Sequence, residues 1–535
     1  MRKNLLIYLT AFFCGMSVMA VELSASRLLA PYFGTSQIVW TVIIGLIMIS
    51  LSLGNVLGGR LADKYNDIGK LYSRIWFACI WIAIIPLVAK YVIAGSVVGL
   101  MWVLPNNLLV AGSIISCLII FSFPLVLLGM ASPVLVKLGV SDMESAGRTT
   151  GKIYALNTIG SIIGTFIPTF LTIPVVGTSK TFLIFALILN LLVLYYSVRN
   201  KIRIIRTAIT AAVILALCFI PFNTSYAFWK NNIVVEDESL YNYLQVAEDK
   251  DSVILSTNVA FGVQSIYKKN HEMTGFYYDY ALMAPYFAKA TDQNKKFNVL
   301  VLGMGTGTYA KQTKHFFPNS SIEGVEIDQK IVDLSKKYFE LSDQEAKVYV
   351  NDGRTFLSSN DAKKYDIIMV DAYHDITIPF HMSTKEFFKD VKDHLNPGGI
   401  MVMNINIRSK GSTDISNYLE ETVRSVMSKV YKCDIENGTN TIVFASDDTS
   451  MSSNFIENIS KIDSSSSLKK VSEYVKNSMS EITASKHVFT DELAPVEIMG
   501  QKALDEIVAN ELAYYKETIK SSKNGIWDLF NMLSE

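Results

Sequence analysis

Seven runs of mostly apolar residues in the first 224 positions, near 5–21, 36–58, 74–97, 107–130, 154–175, 181–198 and 205–222, limit what this chain can become. About 20 such residues in a helix span the hydrocarbon of a bilayer, so each run is expected to cross it. A cleaved leader would account for only the first run, with six more following it. Basic residues orient the crossings. Arg2 and Lys3, Arg60 with Lys64, Lys70 and Arg74, Lys137 with Arg148 and Lys152, and Arg199 with Lys201, Arg203 and Arg206 fall on one side. Only Arg27, Lys90 and Lys180 fall on the other. This bias places the N-terminus in the cytoplasm. Seven crossings then put the rest of the chain on the outer face. A missed or re-entrant segment between Ile85 and Leu109, where Pro86, Gly95, Gly99 and Pro105 lie, would put it in the cytoplasm instead.

The net charge of zero hides a division: residues 1–224 hold 16 Lys/Arg against 5 Asp/Glu, and the remainder 33 against 44. An acidic soluble half suits a cationic substrate and argues against nucleic acid as a partner. Of the five cysteines, Cys14, Cys79, Cys117 and Cys218 lie in apolar runs and only Cys433 beyond them. They suggest neither a disulfide framework nor a thiolate metal site, and no His/Asp/Glu spacing suggests a metal. Within the apolar half, Glu22 and Arg27 are candidates for an interfacial pair or a functional site. Asn157, Gly160 and Gly164 read as helix packing, as do Gly54, Gly58 and Gly59.

The soluble half opens with short alternating runs, Ile233–Asp249, Asp251–Asn258 and Phe261–Lys269, expected as an antiparallel sheet. Asn298–Asp328 then reads as strand, glycine-rich turn, helix and strand, with Gly303, Gly305 and Gly307 letting backbone approach a nucleotide or nucleoside. Strands and helices alternate onward through KVYVND, YDIIMVDAY and GIMVMNI, which argues for an open, mostly parallel sheet covered on both faces. Glu326 with Asp328, Asp352 and Asp371 stand at successive strand ends, where ligands bind in such sheets.

The glycine turn, the VEID strand end, VNDGRTFL and DAYHDITIPFHMSTKEFF together resemble the spermidine synthase family of aminopropyltransferases, built on the class I S-adenosylmethionine-dependent methyltransferase fold. The resemblance covers about residues 233–497, and the apolar half is similar to bacterial membrane-fused members of that family. The implied architecture is an α-helical transmembrane bundle (1–224), a small β-rich domain (225–292), a doubly wound Rossmann-like domain (293–500) and a helical tail (501–535). The resemblance implies decarboxylated S-adenosylmethionine as co-substrate, a polyamine such as putrescine as acceptor, no metal, and possible homodimers. It implies that Gly303, Gly305, Thr306 and Gly307 lie against the methionine-like part of the nucleoside, with Glu326 on the ribose. Asp328 joins that carboxylate in cofactor binding, and Asp352 with Gly353 meets the adenine amine. Asp371 takes the role of general base with Tyr277 in the catalytic set beside it, and Gln264, Tyr277 and Asp279 contact substrate.

This chain departs from the family pattern where a diamine would be fixed. Thr306 replaces an aspartate of the glycine loop, a tyrosine–histidine–glutamate run becomes Tyr277-Tyr278-Asp279, and Asp371 is followed by His374, with Asp375 one residue late. The distal ammonium contact is then weakened or moves to Asp375, Asp279 or Glu272, and His374 is an alternative proton acceptor, a hydrogen-bonding group for an unusual acceptor, or a plain loop residue. His381 reads as structural, and Asp491, Glu492 and Glu497 as contributors to an acidic mouth or as part of a closing turn. Three functions are compatible with these residues: aminopropyl transfer, methyl transfer from S-adenosylmethionine to a small or membrane-associated acceptor, and non-catalytic binding coupled to transport or sensing. The expected location is a bacterial cell membrane.

Overall fold

The structure is a computed structural model. It describes residues 2–503 apart from 66, 105–106, 220–224, 228–229, 231, 259–261, 270–272, 360–362, 374–377, 407–413 and 437. The expectations for Glu272, His374, Asp375 and the tail from 504 therefore lie outside the described residues.

The apolar half folds into α1 (Arg2–Phe33), α2 (Gln37–Lys64), α3 (Ile68–Val103), α4 (Leu108–Gly129), α5 (Ala131–Gly139), α6 (Ala146–Ile167), a π-turn at Pro168–Thr172, α7 (Ile173–Asn200) and α8 (Ile204–Phe219). Five continuous stretches among them are long and apolar enough to cross a bilayer, and Ile204–Phe219 is apolar but shorter. The fifth stretch, Ala146–Asn200, has 55 residues. Straight, it would reach about 80 Å, more than twice a hydrocarbon core of about 30 Å. It is broken at Gly177, whose φ of +84° and ψ of 165° are non-helical and suit a residue without a Cβ. The break falls between the expected runs 154–175 and 181–198. Helix α3, by contrast, continues through Pro86, Gly95 and Gly99, so the re-entrant alternative has no counterpart within it.

Close backbone contact holds the bundle. A Cβ on Gly160 or Gly164 would fall 2.0 Å from the carbonyl oxygen of Phe12 or Met16, so α1 and α6 touch and run parallel. Gly54 and Gly58 pack likewise against Val126–Met130, whereas nothing lies within 4 Å of a Cβ on Gly59. At the N-terminal end of α1, Thr10 hydrogen-bonds Tyr72, which stacks on Tyr196 with centroids 3.9 Å apart. At the other end the bundle meets the soluble half. Arg27 donates to the Leu240 carbonyl, Tyr32 to the Tyr226 carbonyl at 2.8 Å, and the Gln37 amide to Glu497 at 3.2 Å.

The soluble half begins with an antiparallel sheet of β1 (Ile233–Glu238), β2 (Tyr243–Glu248), β3 (Ser252–Thr257) and β4 (Ser265–Lys268), in that order, followed by the short helix α9 (Tyr277–Ala281). The main sheet contains β5 (Asn298–Leu302), β6 (Ser321–Glu326), β7 (Lys347–Val350), β8 (Tyr365–Val370), β9 (Leu395–Ile405), β10 (Lys429–Asp434), β11 (Thr441–Ser446) and β12 (Ser480–Glu481). Its order is β12-β10-β11-β9-β8-β5-β6-β7, with β5 to β9 parallel and the β10, β11 and β12 pairings antiparallel. Val299, Val301, Ile367 and Met369 pack into one core, and Leu300, Leu302, Ile368 and Val370 into another. Strands buried on both faces are what a doubly wound sheet requires. This is the expected class I methyltransferase-like fold. Because β6 and β7 extend one way from β5 while β8 and β9 extend the other, the order reverses between β5 and β8. A crevice opens at the carboxyl ends of strands at such a reversal.

Candidate active site

The glycine turn leaves β5 at that reversal. Gly303 and Met304 donate to the Val325 carbonyl at 3.0 and 2.9 Å, which bends the chain across the end of β6 before α10 (Thr308–Phe316) begins. Gly303 has φ +84°, and a Cβ on it would lie 2.5 Å from both the Asp371 carbonyl oxygen and Ala372 Cα. Only glycine lets β5 and the end of β8 approach this closely. At Gly305, φ +53°, a Cβ would meet Ser265 Oγ at 2.5 Å. That hydroxyl accepts from the Thr306 amide at 3.2 Å, so the small sheet braces the loop.

Glu326, at the end of β6, is 7 % exposed and accepts from the Gly305 amide at 2.9 Å and the Asp328 amide at 3.1 Å. Desolvation pushes its carboxyl up to about 7 despite those bonds. Each carboxylate oxygen retains a lone pair for a further donor, such as one hydroxyl of a diol. Asp328 has a different job. It caps α11 (Gln329–Tyr338) by accepting from the Lys330 amide at 3.0 Å, and it accepts from Ser239 at 2.5 Å and Asn242 at 2.9 Å. These bonds engage both of its oxygens and hold it beside Glu326. Asp352 caps α12 (Gly353–Ser358), accepting from Thr355 through both amide and hydroxyl, and meets His381 at 2.9 Å. The His381 hydrogen bond is the main cause that holds its carboxyl well below the ordinary range.

Asp371 follows β8. Its Oδ2 accepts from the Tyr277 hydroxyl at 2.6 Å and its Oδ1 from the Asn404 amide at 2.9 Å. Burial raises the carboxyl to about 7, against the lowering pull of those two bonds. Burial, with Asp371 beside it, pushes the Tyr277 phenol well above its usual value, so Tyr277 acts as a fixed donor. Asn404, 2 % exposed, is itself held by Asn440 at 2.9 Å. The sequence reading missed Asn404 and Ser265; one polar residue inside the apolar run GIMVMNI, facing the reversal, was the available signal for Asn404.

Other expected residues are placed elsewhere. Asp279 is 4 % exposed and accepts four hydrogen bonds, from Thr274 (amide and hydroxyl), Gly275 and Gln312. That engagement makes it a loop anchor rather than the expected substrate contact. Gln264 joins the neighbourhood through its backbone, whose carbonyl accepts from Tyr278 at 2.9 Å. Thr306 is 1 % exposed, and its hydroxyl has no hydrogen-bond partner among the described residues. Asp491 is held by Arg354 through two contacts of 2.7 Å, so it is not a free acid at a mouth.

Asp371, Glu326 and Asp352 lie at the ends of β8, β6 and β7, spread over about 14 Å at the usual strand spacing. That span matches an extended nucleoside thioether. Carboxylates and acceptors along it fit hydroxyls, an amine and a positive sulfonium, and repel phosphate. The residues present therefore fit an S-adenosyl compound.

Comparison with known proteins agrees with this donor set. The profile described as Spermine/spermidine synthase domain matches residues 279–455. The chain is 42 % identical over 350 residues to a probable polyamine aminopropyl transferase of Bifidobacterium longum, covering 62 % of this chain and 76 % of that one. It is 27 % identical over 243 residues to a polyamine aminopropyltransferase of Vibrio vulnificus, 44 % of this chain and 79 % of the other. It also shares 29 % identity over 157 residues with an eEF1A lysine and N-terminal methyltransferase of Xenopus laevis, 28 % of this chain and 22 % of that protein. The chain belongs to the spermine/spermidine synthase family: it is a transferase of the aminopropyltransferase type, acting with an S-adenosyl co-substrate and fused to a multi-pass membrane bundle.

Proposed function

We propose that this chain transfers an aminopropyl group from decarboxylated S-adenosylmethionine to putrescine or a related amine, with Asp371 as general base. The observation that carries the reading is the Asp371 carboxylate, gripped on both oxygens by Tyr277 and Asn404 at the reversal of the sheet. The sulfonium of the bound co-substrate supplies a leaving group that needs no further activation. What remains for the protein is alignment and a deprotonated amine. Tyr277 and Asn404 fix the carboxylate plane, so a free lone pair of Asp371 is held toward the crevice to accept the ammonium proton. Glu326 and Asp352 would hold the nucleoside at its ribose and base. The glycine turn admits it without side-chain obstruction.

The reading has a pH signature. The base works ionised, and its carboxyl sits near 7. Below that value kcat/KM is expected to fall by about tenfold per pH unit, and above it to level off. Tyr277→Phe removes a bond that lowers the Asp371 carboxyl, so the acid limb moves to higher pH. An acid limb that stays in place in Y277F would sink the assignment of Asp371 as base.

Methyl transfer is the second reading, favoured by two observations: Asp279 is engaged internally, and position 306 offers a buried hydroxyl in place of an acid. Its nucleoside product, S-adenosylhomocysteine, separates it from the first.

We further infer that α1, α2, α3, α4 with α5, α6, α7 and α8 make seven crossings and that the catalytic half stands outside the cytoplasm. Support comes from Arg27, Tyr32 and Gln37, which touch that half from the end of the bundle opposite the basic connections. A Ser460→Cys variant on intact cells is expected to react with a membrane-impermeant maleimide, and Met143→Cys only after lysis. The reverse pattern would place the domain inside.

A further inference from the structure

The membrane bundle reaches the nucleoside site through hydrogen bonds joined by the Glu238–Ser239 backbone. At the Gly177 break within α7, the Thr178 amide donates to Glu238 Oε1 at 3.1 Å and its hydroxyl to Oε2 at 2.5 Å. Both residues are buried, Thr178 at 0 % and Glu238 at 7 % exposure. The neighbouring Gly177 carries the non-helical backbone that aims the Thr178 amide out of the helix. Ser239, the next residue after Glu238, donates to Asp328 Oδ2 at 2.5 Å, and the Asp328 amide donates to Glu326 Oε1 at 3.1 Å. A second route converges on the same turn. Lys330 donates to the Pro174 carbonyl at 3.3 Å, to both oxygens of Asp237 at 2.9 Å and to the Glu238 carbonyl at 2.5 Å, while its own amide caps onto Asp328.

An isolated soluble domain could satisfy Glu238 with water. Here a carboxylate is buried against the start of a membrane helix, at the one break in a 55-residue apolar run. Buried charged hydrogen bonds restrict geometry strongly, because leaving either partner unpaired is unfavourable. We propose that Thr178 and Glu238 are positioning residues for the nucleoside site: the broken membrane hairpin holds Glu238, and through Ser239 and Asp328 it sets the placement of Glu326. This rests on the reading of Glu326 as the ribose-binding carboxylate.

The test uses full-length protein in lipid nanodiscs and 5′-methylthioadenosine as the probe, with binding measured by calorimetry. Glu326→Ala checks the underlying reading, and affinity unchanged in E326A overturns that reading by itself. Thr178→Val, which keeps shape and removes the hydroxyl, and Ser239→Ala are each expected to weaken binding by about fivefold, while Thr178→Ser binds as the wild type. The double variant is expected to lose little more than either single one, since both cut one chain of contacts. Amide exchange gives a readout independent of affinity: the nucleoside should slow exchange at Thr178 in the wild type and not in S239A. If E326A weakens binding but T178V does not, or if the two single losses multiply, the positioning role is wrong. Unchanged Thr178 exchange on adding nucleoside to the wild type also overturns it.

Discussion

Asp371→Asn is expected to lower kcat by about a thousandfold, the middle of the range for removing a positioned general base, while 5′-methylthioadenosine binding is unchanged. Asparagine keeps the size of the side chain and can still accept from Tyr277 or Asn404, but it cannot take a proton from an ammonium. The same substitution has an opposite effect on stability. A carboxyl raised from the ordinary range to about 7 favours the protonated fold, so its contribution is full at low pH and is lost as pH rises through 7. At pH 8 wild-type Asp371 is ionised in a desolvated place, and D371N should unfold at no lower temperature than wild type. Loss of turnover together with a marked fall in Tm at pH 8 would point to a structural role for Asp371.

The second large effect concerns the join of β5 and β8. Gly303→Ala would set a methyl 2.5 Å from the Asp371 carbonyl oxygen and Ala372 Cα, and 2.6 Å from the Ala372 nitrogen, all of them backbone atoms that cannot rotate away. Its φ of +84° adds strain of about 1–3 kcal/mol for a residue with a side chain. Because the Asp371 amide donates to the Leu302 carbonyl at 2.9 Å, relief of the clash must shift the segment that carries the base. A displacement near 1 Å is enough for about a hundredfold loss of kcat/KM. Gly59→Ala, with open space around its Cβ, is the control expected to change nothing. Equal activity of G303A and wild type would show that the close approach of β5 and β8 does not align Asp371.

Much of this architecture is legible in the residues. The apolar runs locate the membrane helices, because a bilayer imposes both length and composition. Their ends are less legible: the run expected over 74–97 is helix from Ile68 to Val103, since a membrane helix continues through proline where neighbours compensate. The doubly wound sheet follows from strand and helix spacing, and the strand-end acids mark its carboxyl edge. Sequence position does not say how a carboxylate is used. Asp328 and Asp279 look as available as Glu326 and Asp371 along the chain, yet Ser239, Asn242 and Gln312, from distant segments, and Thr274, five residues back, take up their oxygens. Asn404 is hidden for the matching reason: its importance comes from Asp371 across a strand pairing, not from any neighbour in sequence. The Thr178–Glu238 contact joins positions 60 residues apart and is absent from any local pattern.

The central claim is aminopropyl transfer by this acidic crevice, and the identity of the nucleoside product tests it most directly. Purified full-length protein would be incubated with putrescine and equal amounts of S-adenosylmethionine and its decarboxylated form, and the products separated by mass. The account expects 5′-methylthioadenosine together with an aminopropylated amine, both absent with D371N. Accumulation of S-adenosylhomocysteine with putrescine left unaminopropylated would contradict it.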